Sequence, residues 1–217
     1  MTDRRKPQIS SRKQPKQARS TELVAVILEA ALHVLAEEGA HRFTTTRVAE
    51  RAGVSVGSLY QYFPNKAAIL FRLQSDEWRQ TTDLLGCILE DVNKPPLERL
   101  RNLVQAFISS ECAEAEIRVA LNDAAPLYRD APEAKEARAS GERTMQVFMR
   151  EALPQASKAT RTVAGNLITT TLSTVGKRFS ENPRARSEIE AYAEAMADMF
   201  CAYLTISGKV LPKSDYG

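Results

Sequence analysis

Thr44, Thr45 and Thr46, followed by Arg47 and then by Ser55, Val56, Gly57, Ser58, Tyr60, Gln61 and Tyr62, place hydroxyls, an amide and small side chains in one short stretch. Hydroxyls and amides suit phosphate oxygens and base edges, and small residues let a backbone approach a duplex closely. An exposed tyrosine suits a sugar-phosphate or thymine-methyl contact. The competing reading is a helical hairpin whose polar face simply meets water. No comparable set points to catalysis. The two histidines, His33 and His41, fall in a predicted helix and a loop outside any metal-binding motif. There is no glycine-rich phosphate loop and no nucleophile elbow, so neither an enzyme nor a cofactor or metal site is expected.

Helices must position these groups. Leu23, Val26, Ile27, Ala30, Val34 and Leu35 recur at helical spacing, with Ser20 as a candidate N-cap and Gly39 as a stop, which predicts a helix over 20–38. Two short helices follow, at about 45–52 and 56–62. Thr44 or Thr45 caps the first, Ser55 caps the second, and Gly53 suits the left-handed turn between them. Val48 and Leu59 would pack the pair together, with Ala49 at the close approach. The outward set of the second helix is read as Val56, Gly57, Ser58, Tyr60, Gln61 and Tyr62, leaving Leu59 and Phe63 inward.

Asn65 can cap a long helix from Lys66 to about Val92. Prolines at 95–96, 126, 132, 154 and 183 then divide the remainder into helices at about 96–112, 113–124, 132–153, 156–179 and 184–206. With no strand-like alternation of useful length, the fold class is all-α with about nine helices. The composition agrees, since alanine, leucine, glutamate and arginine are abundant and aromatics make up only 6%.

The 217 residues carry a net charge of +3, unevenly spread. Residues 1–20 hold seven basic side chains against Asp3, a local charge of +6, so the remaining 197 residues sum to −3. Low in apolar anchors, residues 1–19 read as a flexible basic arm, and a basic arm on a mildly acidic body suggests a polyanionic partner. Cys87, Cys112 and Cys201 are few and widely spaced, which favours free thiols over a disulfide framework. Residues 1–19 contain no apolar run that would make a secretory signal, and no stretch is apolar enough to span a bilayer, so a cytoplasmic protein without a membrane partner is expected.

The wider pattern is specific. A helix ending in Glu38-Gly39, then Thr44-Thr45-Thr46-Arg47-Val48-Ala49-Glu50-Arg51-Ala52-Gly53-Val54-Ser55, then Gly57-Ser58-Leu59-Tyr60-Gln61-Tyr62-Phe63-Pro64-Asn65-Lys66, closely resembles the tetracycline-repressor (TetR) family over residues 20–70. The resemblance implies a three-helix helix-turn-helix DNA-binding domain at 20–66 and a larger effector-binding and dimerisation domain at 67–210. It implies that Thr45 and Thr46 hold phosphates, that Arg47 reaches DNA, and that Val56, Gly57 and Ser58 face base edges. Tyr60 and Tyr62 would touch backbone and bases, Lys66 a phosphate, and Gln61 an adenine.

It further implies a homodimer formed through the last two helices, reading a palindromic double-stranded operator and released by a small-molecule effector. The family's effector cavity would lie among the middle helices, where Phe71, Trp78, Phe107, Cys112, Tyr128, Met145 and Phe148 are candidate lining residues, although an aromatic at helical spacing is more often plain core than pocket wall. Glu111, Glu114 and Glu116 form either a solvated face or a site for a cationic ligand. The apolar stripes of the last two helices, among them Val163, Leu167, Leu172, Ala193, Met196, Met199 and Phe200, serve dimerisation, the internal core, or both. Repression is the default reading. An activator, or a helical adaptor that does not bind DNA, stays open.

Overall fold

The computed structural model describes residues 18–124 and 131–209. These form nine helices and no strand among the described residues: α1 (Ala18–Arg42), α2 (Thr45–Arg51), α3 (Val56–Tyr62), α4 (Lys66–Glu90), α5 (Pro96–Ala113), α6 (Ala115–Ala124), α7 (Pro132–Ala152), α8 (Lys158–Ser180) and α9 (Arg186–Lys209). The all-α architecture follows the periodicity of the sequence closely. Gly39 breaks α1 as expected, with φ +72° and ψ 171°, before a last helical turn through Arg42. Ser20 lies inside α1, not at its cap.

The chain divides into two compact units. The first runs to Arg79 and takes in Glu116–Glu136. Its core gathers Ile27, Leu35 and Phe43 from the α1 region with Val48, Leu59 and Phe63, and adds Ile69 and Leu70 of α4 and Leu121 of α6. Half-buried Glu77 of α4 and Arg118 of α6 form an ion pair at 3.0 Å beside it. Packing therefore carries this unit past residue 66, where the sequence reading sets the end of the expected DNA-binding domain. The reason is that Ala68, Ile69, Leu70, Phe71 and Leu73 all bury against the same core as α1–α3.

The second unit comprises Gln80–Ala115 and the chain from Ala137 onward. Here α5 packs against both α8 and α9. Gly176 permits that approach on α8, since a Cβ there would stand 2.9 Å from the Phe107 ring. Leu100, Val104 and Ile108 of α5 bury with Phe148 and Met149 of α7 and Leu153 just after it, Ile168 and Leu172 of α8, and Ala197, Phe200 and Leu204 of α9. At one edge the buried Arg99 donates to the Leu89 carbonyl at 2.5 Å and pairs with Glu151 at 2.5 Å. Its guanidinium also lies over the Phe148 ring, 5.5 Å from the centroid. No described helix is long and apolar enough to cross a membrane.

Candidate nucleic-acid interface

The α2–turn–α3 segment is built from short-range bonds. The Arg47 amide donates to Thr44 Oγ1 at 3.3 Å, so Thr44, not Thr45, is the cap of α2. Ser55 caps α3: its Oγ accepts from the Ser58 amide at 3.0 Å and bonds the Ser58 hydroxyl at 2.8 Å. Between the helices Gly53 adopts φ +66°, and the Val54 amide closes the turn on the Ala49 carbonyl at 3.0 Å. Left-handed backbone disfavours a Cβ, which is why glycine stands there. Asn65 Oδ1 accepts from the Ala68 amide at 2.9 Å and so caps α4.

The outward face of α3 is narrower than the sequence suggests. Gly57, Gln61 and Tyr60 (39% exposed) face solvent, and Ser58 is half-buried. Two expected outward residues turn in: Tyr62 is only 8% exposed and joins the core, and Val56 packs half-buried against it. The cause is helical geometry. Val56, Leu59 and Tyr62 are spaced by three, so the face that buries Leu59 also carries both neighbours.

The Tyr60 hydroxyl lies 3.1 Å from Thr45 Oγ1, tying the exposed ring of α3 to the start of α2. Fifteen residues separate the two, and no local spacing rule announces that bond. Thr46 and Lys66 are exposed on the same unit. Arg47, expected to reach outward, is instead held by Glu38 of α1, and Arg51 is gripped by Glu37 at 2.9 and 3.1 Å. These acidic partners escaped the sequence reading, although Glu37-Glu38 facing arginines four apart is a legible charge pattern.

The candidate effector residues do not form one group. Phe71 is buried in the core of the first unit and Trp78 packs half-buried against it. Met145 and Phe148 are buried in the second core, with Phe107 half-buried beside it. Cys112 is half-buried, and burial pushes its thiol up, aided by Glu111 and opposed by Arg184. Tyr128 lies outside the described residues. Glu114 and Glu116 are exposed, which fits a solvated face, whereas Glu111 is buried and partnered. No His/Cys/Asp/Glu cluster able to hold a metal occurs among the described residues.

The apolar stripes of α8 and α9 are split by packing. Leu172, Ala193, Met196 and Phe200 are core, whereas Val163 (61% exposed), Leu167 (48%), Met199 (52%) and Ile206 (66%) face outward.

The sequence matches two family models: bacterial regulatory proteins of the tetR family over residues 27–73, and the tetracyclin repressor-like C-terminal domain over residues 95–206. It is 36% identical over 84 residues to the nucleoid occlusion factor SlmA of Vibrio vulnificus, a match spanning 38% of this chain and 42% of that protein. It is 41% identical over 54 residues to the fatty acid metabolism regulator protein of Bacillus subtilis, covering 25% of this chain and 28% of that one. Among solved structures, PfmR of Thermus thermophilus superposes with a TM-score of 0.65 at 20% identity, over 81% of this chain and 97% of that one. FadR of Bacillus subtilis, solved with stearoyl-CoA, gives 0.62 at 18% identity, over 86% and 99%. The structural likenesses speak to fold; the two family models together cover most of the chain, which belongs to the tetR family of bacterial regulatory proteins.

Proposed function

We propose that this regulator binds a palindromic DNA operator as a homodimer, represses transcription, and is released by a small hydrophobic or amphipathic effector. The observation that carries the DNA reading is the α3 face: Gly57, Tyr60 and Gln61 exposed, with Tyr60 bonded to Thr45 across the motif. A helix held by its Ser55 cap and the glycine turn before it, with a bare polar edge, fits a major groove. Thr46 and Lys66 add phosphate contacts, and the basic residues at 4–19 add charge. Tyr62 and Val56 act from behind, setting the pitch of α3, and Arg47 reaches phosphate only when Glu38 releases it.

The outward residues of α8 and α9, Val163, Leu167, Met199 and Ile206 with exposed Ala191, Ala195 and Ala202 between them, suit a self-complementary four-helix contact with a second copy. A twofold dimer would then set its reading heads in successive major grooves, roughly 34–36 Å apart. Release works by population shift: an effector favouring one conformer lowers operator affinity by no more than its differential binding to the two. α4, which begins at Lys66 and contributes to both units, is the element that such a shift moves.

A gel shift on the DNA upstream of the protein's own gene, repeated across a salt series, tests this reading. A specific complex whose affinity falls steeply with salt is expected. No specific shift would make the chain an adaptor and not a DNA-binding regulator.

A further inference from the structure

The second unit contains a groove of about 300 Å³ between α7 and α8, at the small end of the range for small-molecule sites. Two matched stripes form it, Met145, Met149 and Arg150 on α7 against Lys158, Arg161 and Gly165 on α8. Its floor is apolar and adaptable. Met145 and Met149 lie against the bare backbone of Gly165, where a Cβ would stand 3.2 and 3.4 Å from their Cγ atoms.

The charges are segregated along it. Arg150 in the last turn of α7 meets Lys158 and Arg161 in the opening turns of α8, and the lining carboxylate, Glu142, sits two turns back along α7. None of the three cations forms an ion pair with a described carboxylate. The first turn of α8 has no acidic residue, although helix N-termini favour negative charge. Lys158 and Arg161 near the positive end of α8 oppose its dipole, and with Arg150 beside them they repel one another unless an anion joins them.

We propose that this groove binds an amphipathic monoanion, a single carboxylate carrying an apolar tail of medium length. The carboxylate sits among Arg150, Lys158 and Arg161, and the tail lies along Met145 and Met149 over Gly165. A second copy of this chain is the less fitting occupant, since its surface would have to bring an acid to the cationic end. The site deepens the effector part of the proposed function, yet its binding is measurable without DNA.

Calorimetry on the full chain with decanoate, decylammonium and butyrate tests it, the last two preserving only the tail or only the head. Decanoate should bind one per chain, with decylammonium at least about tenfold weaker for the charge-assisted hydrogen bonds it lacks and butyrate at least about tenfold weaker for the apolar tail it lacks. Lys158→Gln with Arg161→Gln should weaken decanoate at least about tenfold, and Thr162→Trp, from an exposed position lining the groove on α8, should block it. Lys177→Gln, on α8 outside the groove, should change nothing. Equal binding of decanoate and decylammonium, or an unaltered affinity in the double variant, overturns the site. Decanoate binding that leaves the gel shift unmoved keeps the site and overturns its role as effector.

Discussion

The α2–α3 segment and the α7–α9 region reach order by different routes. In the first, the helix starts are fixed by bonds across three residues, Thr44 to Arg47, Ser55 to Ser58 and, at α4, Asn65 to Ala68, while the Tyr60–Thr45 bond and the Arg47 and Arg51 ion pairs reach further. In the second, the contacts that order the region join distant positions, as buried Arg99 does with Glu151 at 2.5 Å. A locally built site keeps its shape on a small core and can be read residue by residue. A site assembled from separate helices exists only once all of them have packed.

That contrast can be broken at its strongest point first. Phe63→Ala in the first core and Phe148→Ala in the second remove fully buried rings, and each should cost about 3–5 kcal/mol, read as a lowered denaturant midpoint. If Phe63→Ala cost under ~1 kcal/mol, the first unit would owe its order to capping alone.

Tyr60→Ala comes next. It should weaken operator binding by about a hundredfold or more, roughly 3 kcal/mol, while leaving melting temperature and dimer mass unchanged. Tyr60→Phe, which loses only the bond to Thr45, should cost about tenfold or less. Unchanged affinity in Tyr60→Ala removes α3 as the reading element.

Gly53→Ala probes the turn without any crowding, since nothing lies within 4 Å of the added Cβ. The cost is backbone strain alone, about 1–2 kcal/mol. A neutral substitution would show that the turn relaxes out of its left-handed form.

The smallest expected effect is electrostatic. Glu38→Gln frees Arg47 from a half-buried pair at the protein surface, so stability should change by about 1 kcal/mol or less. Non-specific DNA affinity should rise a few-fold, with the salt slope steeper by about one unit. An unaltered slope would show that Arg47 does not reach phosphate even when released.

Much of this molecule was legible from residue order, and the misses have a common origin. Helix boundaries followed from prolines, caps and periodicity, because those signals act within a turn or two. Tyr62 was misread because residue type suggested a contact, while the position three after Leu59 dictated burial. The Arg47–Glu38 and Arg51–Glu37 pairs were missed because they depend on how α1 and α2 cross. The candidate lining residues mixed members of two cores, since an aromatic at helical spacing reads the same in either.

By itself the sequence determined the helices, the capped turn between α2 and α3, the family, and the chemistry offered to DNA. Only the tertiary structure decided which arginines are held by acids, which faces of α8 and α9 stay bare, and that three cations and two methionines share one groove. The division follows from range: dihedral preferences and caps are properties of neighbouring residues, whereas burial and charge pairing are properties of surfaces that meet only after folding.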